Sequence, residues 1–174
     1  MSSTASWTVQ PIAGVSPNQE RTLEAVYPSV GASALGRSLG SLFDSVPVKI
    51  NGVKLSYLLF CLPLAPVALT IYLLQKVVGS CYVLTNRSVE IRNIIGRGLV
   101  EKIPLAGIEQ VNVVTQAGQA FFRAADLELV NARGDVLMKL EGVPWPDRFR
   151  QVILDAREAR KRSDESLARI EARK

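Results

Sequence analysis

At 174 residues the chain is long enough for one compact domain with attachments, and its 21 Lys and Arg against 16 Asp and Glu, a formal +5, suit an anionic surface. It contains no histidine, so the commonest metal ligand and the commonest general base at neutral pH are both missing, which argues against an enzyme. Two cysteines, Cys61 and Cys81, are too few for a disulfide framework and are read as reduced thiols.

The first 20 residues hold no Lys or Arg and no apolar stretch of signal-peptide length. Residues 1–28 are therefore expected to form a disordered or extended tail, with no cleaved leader. Residues 29–54 follow as an amphipathic helix and a turn. Tyr27-Pro28-Ser29 supplies the start, with Ser29 as N-cap, and Leu35, Leu39, Leu42, Phe43 and Val46 fall on one helical stripe. Gly36 and Gly40, four apart, would let a second helix approach closely. Such a helix ahead of an apolar run either lies in the headgroup plane or covers the following domain. Asn51-Gly52 marks a turn within Pro47–Val53.

From Leu55 to Gln75 the chain runs 21 residues without a charge, between Lys54 and Lys76. As a helix this run would extend roughly 30 Å, the thickness of a bilayer hydrocarbon core, so residues 55–78 are read as a membrane segment. Pro63 and Pro66 lie mid-run and each removes a backbone donor, leaving a kinked span or a re-entrant hairpin as alternatives. Arg37, Lys49 and Lys54 before the run balance Lys76, Arg87 and Arg92 after it, so the positive-inside rule assigns no orientation.

Beyond Gly79 the period changes to two. Strands are expected over Cys81–Leu84, Ser88–Ile94, Leu99–Ile103, Ile108–Thr115, Asp126–Val130 and Val136–Leu140. The breaks between them are Thr85-Asn86-Arg87, with Asn86 suited to a left-handed turn position, Gly96-Arg97-Gly98, Pro104–Gly107, the loop Gln116–Arg123, and Asn131–Asp135. Leu127 and Leu129, and Val136, Met138 and Leu140, alternate with polar residues, so one sheet face is buried and the other wet. Pro144-Trp145-Pro146-Asp147 opens a helix whose apolar face is Phe149, Val152, Ile153 and Ala156. Residues 79–160 thus form the folded domain and 161–174 a charged helical extension. Over 147–174, nine Lys or Arg stand against six Asp or Glu. A solvated helix end accounts for that charge, with a docking surface as the alternative.

Tyr82-Val83-Leu84-Thr85-Asn86-Arg87, Ile103-Pro104-Leu105 followed by Ile108, and Asp126-Leu127 before a Gly-containing hairpin together resemble the bacterial pleckstrin-homology family of small membrane proteins. The similarity covers about Tyr82 to Arg160, and Tyr27-Pro28-Ser29 resembles the short motif such proteins carry ahead of their membrane segments. The resemblance implies an α+β, mainly β fold: a bent antiparallel sheet or partial barrel capped by the C-terminal helix and preceded by a membrane helix. Many relatives have two membrane helices, whereas here the amphipathic stretch stands in place of the first. The resemblance also implies a bacterial inner-membrane location with the domain cytoplasmic.

Phosphoinositide-binding eukaryotic relatives use clustered cations in a roomy first hairpin, and Thr85-Asn86-Arg87 is too tight for that. Arg87, Arg92 and Arg97 can still meet anionic lipid headgroups as diffuse charges, although ordinary solvated strand ends also explain them. Phe121 and Phe122 are the other candidates for lipid or partner contact, at least one of them exposed in the loop; filling the barrel mouth is the alternative. Glu90, Glu101, Asp126, Glu128, Asp135 and Glu141 read as polar-face residues rather than a paired acid and base. No catalytic, metal or cofactor-binding residues are identified. The aromatic fraction, 6%, is too low for a nucleic-acid surface. The functional expectation is a non-enzymatic interaction platform at the cytoplasmic membrane surface. The alternative is an accessory subunit of a membrane complex or a homo-oligomer, with Gly36 and Gly40 as packing positions.

Overall fold

The computed structural model describes residues 20–45, 49–50 and 53–172, with the side chains at 49–50, 53–54, 56–58, 61–62, 167 and 171 left aside. Most of the tail, the Asn51-Gly52 pair, Val46 and the Cys61 side chain lie outside that set. The fold is α+β, with nine strands and three α-helices among the described residues. Strand β1 (Thr22–Val26) comes first, then α1 (Ala34–Asp44), the short strands β2 (Lys49–Ile50) and β3 (Val53–Lys54), and α2 (Leu55–Val78). The β region follows as β4 (Ser80–Thr85), β5 (Ser88–Asn93), β6 (Leu99–Pro104), β7 (Gln110–Val114), β8 (Ala124–Val130) and β9 (Val136–Pro144), closed by α3 (Pro146–Glu171).

Two antiparallel sheets make the body, one ordered β1-β4-β5-β6 and the other β7-β8-β9, with β2-β3 as a separate pair. Tyr82, Leu84, Val89 and Ile103 from the first sheet meet Val111, Leu127, Leu129 and Leu140 from the second, and Phe149 and Ile153 of α3 complete the core. Leu105, the first residue of a 3-10 turn that begins after Pro104, and Ile108, its C-cap, are fully buried where the chain passes between the sheets. The period-2 and period-3.6 patterns thus face one another across one core, which is what fixes the register of each strand. Val136 departs from this pattern, being exposed at the strand start, while Met138 and Leu140 point inward.

The segment 22–26 is extended but is not a free tail, since β1 pairs antiparallel with β4 from Val26↔Tyr82 to Thr22↔Thr85. An exchange with the β4–β5 turn fastens its start: Arg21 N donates to Asn86 Oδ1 at 2.9 Å and Asn86 N donates to Arg21 O at 3.0 Å. Asn86 does not take the left-handed conformation, for positive φ among non-glycine described residues occurs at Arg97, Arg123 and Trp145. Thr85 holds the turn instead, its Oγ1 accepting the amides of Arg87 and Ser88 at 3.2 and 2.9 Å. A side-chain acceptor does here what a left-handed residue does in the commoner two-residue hairpin.

The amphipathic stretch is split. Ser29 caps a 3-10 turn over Val30–Ala32, and Ser33, whose Oγ accepts Gly36 N at 3.1 Å, caps α1. Leu39 and Phe43 are buried, whereas Leu35 and Leu42 of the same stripe are exposed beside α2. Gly36 and Gly40 do permit close approach, but not to another helix. A Cβ at Gly36 would sit 1.8 Å from the Val30 carbonyl oxygen and one at Gly40 would sit 2.1 Å from that of Gly118. The pair fits α1 to the turn before it and to the loop beyond β7.

The 55–78 run is one continuous 24-residue helix through Pro63 and Pro66, and no turn divides it as a re-entrant hairpin would require. Thr70 Oγ1 donates to the Pro66 carbonyl at 2.8 Å. Among the described residues, no helix is long and apolar enough to cross a membrane. Five α2 positions, 56–58 and 61–62, have side chains outside that set.

Candidate functional site

The residues singled out in the sequence do not converge. Arg87 precedes β5 and Arg92 lies within it, held by Glu90, with Nε at 2.7 Å and Nη2 at 2.5 Å from Oε2. Arg97 occupies the β5–β6 turn with φ +50° beside Gly96 at φ +76°. Phe121 and Phe122 are half-buried in a 3-10 turn rather than displayed in an open loop. Phe121 stacks on Phe43 of α1 with ring centroids 4.7 Å apart, and Phe122 meets Phe121 edge-on at 4.9 Å. The aromatic pair clamps α1 to the β domain.

Two of the six acidic residues are not on a wet face at all. Glu90, 1% exposed, accepts from Arg92, Lys102 (2.9 Å) and Ser88 (3.3 Å); Lys102 also reaches Glu20 at 2.6 Å. Burial opposes ionisation of Glu90, but Lys102 and Arg92 outweigh it and hold the carboxyl below its ordinary value. Lys102 and Ser88 hydrogen bonds bring Glu20 down to about 2, and Glu20 then Glu90 raise Lys102. Asp126, fully buried, takes Gly142 N at 2.9 Å and Gln119 Nε2 at 2.5 Å on Oδ1, and Gln116 Nε2 and Lys139 Nζ (3.1 Å) on Oδ2. Its burial penalty is outweighed by the Gly142 amide, Gln119 and Lys139, and its carboxyl also stays below the usual range. Both carboxylates are saturated with donors, which suits them to pinning strands and leaves no lone pair aimed at a substrate. Gln119 extends the second cluster to Gly31 O at 3.4 Å, and Ser29 N donates to Gly142 O at 2.8 Å, so Asp126 ties the α1 approach to the β8–β9 sheet. Alternation along β5 and β8 put these residues on the polar face; only the covering side chains and the N-terminal segment bury them.

The surface that does collect chemistry surrounds the C-terminal end of α2. Ile94 N donates to Gly79 O at 3.0 Å, which sets the β5–β6 hairpin beside the point where α2 enters the domain. That hairpin exposes Ile95 (63%), Leu99 (55%) and Val100 (58%) around Arg97. On α2, Leu59, Val67, Leu69, Tyr72, Leu73, Leu74, Val77 and Val78 are exposed. Leaving such side chains in water forgoes roughly 1 kcal/mol each at half burial, an arrangement soluble surfaces avoid in continuous patches. Lys76 Nζ lies 5.3 Å from the centroid of the Tyr72 ring.

Next to it, a cavity of about 420 Å³ opens between β1, the end of α2 and the start of α3. Trp145 stands at its rim, 58% exposed, with φ +51°. Arg123, at φ +50°, accepts the Trp145 amide on its carbonyl at 3.1 Å, and its guanidinium lies 5.3 Å from the indole centroid. Two adjacent non-glycine residues in the left-handed region carry strain of order 1 kcal/mol each, and such strain concentrates at binding sites. Arg148, one turn into α3, reaches Glu24 of β1 at 3.3 Å. The sequence signal for this corner was Pro144-Trp145-Pro146: a tryptophan fixed between prolines at a helix start is kept out of the helix and of its buried face. Lys76 and Arg148 carried no such signal, since only the fold brings them to one cavity.

Among the described residues no group of three or more His, Cys, Asp or Glu is placed to hold a metal ion. No protein-family model, curated protein or solved structure matches the chain.

Proposed function

We propose that this chain is a membrane-anchored, pleckstrin-homology-like protein, non-enzymatic, that presents its β domain at the cytoplasmic surface of a bacterial inner membrane as an interaction platform. The observation carrying this reading is the 21-residue uncharged run, continuous in one helix whose described apolar side chains are widely exposed. The whole run, including Leu58, Cys61 and Leu62, supports it better than the described part of the helix alone. The apolar β5–β6 hairpin beside the helix end is a second contact with the same bilayer, with Arg97 at headgroup level. A four-stranded and a three-stranded antiparallel sheet around one core, closed by α3, support the pleckstrin-homology-like reading. Residues outside the body of the site, including Arg87 and Arg92, serve as diffuse headgroup charges at most.

Carbonate-washed membranes test the anchor: the chain is expected in the pellet, and full release by carbonate would sink the reading. Orientation follows from single cysteines at Ser45 and Ser163 with Cys61 and Cys81 replaced by serine. Labelling of the first alone in intact cells would establish a single span with the N-terminal part outside. A second reading, an assembly subunit of a membrane complex, is favoured by the apolar groove of about 360 Å³ between α1 and α2, lined by Leu35, Leu39, Leu42, Val67 and Ile71. A lone small species after detergent extraction counts against it, and co-purifying membrane proteins count against a free-standing platform.

A further inference from the structure

We propose that the cavity between β1, α2 and α3 is a binding site for the phosphodiester headgroup of a membrane glycerophospholipid, with Lys76 and Arg148 as the phosphate contacts. The inference rests on the membrane reading above and adds a specific ligand to it. The cavity's volume, about 420 Å³, lies within the range of small-molecule sites. Its charged lining residues are Lys76, Arg148 and Glu24, a net of +1. Tyr27, Tyr72 and Trp145 also line it, aromatic rings with polar tips of the kind that sit at a membrane–water boundary. The position agrees with that chemistry, because Tyr72 and Lys76 belong to the last turns of α2, where a lipid lying along the helix presents its phosphate.

Two further observations separate a binding site from a surface dent. Gln75 lines the cavity, its Nε2 donates to Val30 O at 3.4 Å, and its Oε1 is buried with no hydrogen-bond partner. A buried acceptor without a donor costs about 1–3 kcal/mol, and a glycerol hydroxyl or an ethanolamine ammonium would satisfy it. Glu24 holds Arg148 at 3.3 Å and both line the cavity, so an entering phosphate competes with Glu24 for the guanidinium. A carboxylate in that position makes the site weaker for anions than its cations alone would allow, and its removal has a predictable sign.

The test uses the full chain in a neutral maltoside detergent, with Trp7→Phe leaving Trp145 as the one indole of the two in the sequence. Monomeric dihexanoyl-phosphatidylglycerol is titrated against Trp145 emission, with inorganic phosphate in a parallel arm. Saturable binding is expected, weakened about tenfold by Lys76→Gln or Arg148→Gln and tightened about threefold by Glu24→Gln. A merely structural role for these residues would not reverse sign between Arg148→Gln and Glu24→Gln. No saturable change, or a change indifferent to all three variants, overturns the site. Equal binding of inorganic phosphate, with the lipid giving no advantage, overturns the lipid assignment. Carbonate-resistant membrane association is scored on the same Arg148→Gln chain and is expected to persist, so loss of headgroup binding and loss of anchoring read out separately.

Discussion

Asp126→Asn tests whether the buried carboxylate holds the two halves of the molecule together. Oδ1 can keep Gly142 N and Gln119 Nε2, but the new amide then points a donor at Gln116 Nε2 and at Lys139 Nζ. The charge-assisted bond from Lys139 is worth about 1.5–3 kcal/mol and a buried donor facing a donor costs about 1–3 kcal/mol. Lys139 is exposed enough to swing into water and Gln116 can turn its amide, which places the net loss near 3 kcal/mol, at the lower edge of what breaking a buried charge network costs. For a chain of this length that corresponds to a fall in Tm of roughly 6–12 °C. Thermal unfolding followed by intrinsic fluorescence in detergent measures it. A fall below about 2 °C would show that the cluster is an ornament of the sheet and that α1 is fastened some other way.

Gly118→Ala should be about as damaging, because a Cβ there falls 2.0 Å from the Arg37 carbonyl oxygen at a φ of +80°; amide exchange in α1 should accelerate more than exchange in β4. Phe43→Ala removes a buried ring stacked on Phe121 and should cost about 3–5 kcal/mol, read as a lowered unfolding temperature. Glu20, Glu90 and Asp126 all have depressed folded-state values, so each binds protons more weakly folded than unfolded. Their stabilisation is complete above the unfolded carboxylate range and is lost as pH falls through the folded values. Stability should therefore drop below about pH 4.5 and, for Glu20, continue to fall toward pH 2, a loss that Glu20→Gln should blunt in an acid denaturation series. Ile95→Asp combined with Leu99→Asp should weaken binding of liposomes by detergent-free, renatured protein without lowering Tm, since both side chains are exposed; unchanged binding would remove the β5–β6 hairpin from the proposed membrane contact.

The sequence alone determined the parts governed by local periodicity. The strand order after Gly79, the Gly96-Arg97-Gly98 turn, the buried Leu127, Leu129, Met138 and Leu140, and the helix beginning at Pro146 all follow from alternation of period 2 or 3.6 and from turn chemistry. The apolar run after Lys54 was legible for the same reason, as an unbroken composition. What only the tertiary structure decided involves groups far apart in the chain. Residues 22–26 became an edge strand because β4 offered an unpaired edge, and the exposed Glu20 was tied to the buried Glu90 through Lys102, 82 residues beyond Glu20. Asp126 moved from an expected wet face to full burial because Gln116, Gln119 and Lys139 close over it. Gly36 and Gly40 kept their small-residue role but exchanged an expected helix for the Val30 and Gly118 backbones. The cavity at Trp145 belongs to this second class as well: its cations come from α2 and α3, and no spacing along the chain records that a fold will bring two helix ends and an edge strand to one place.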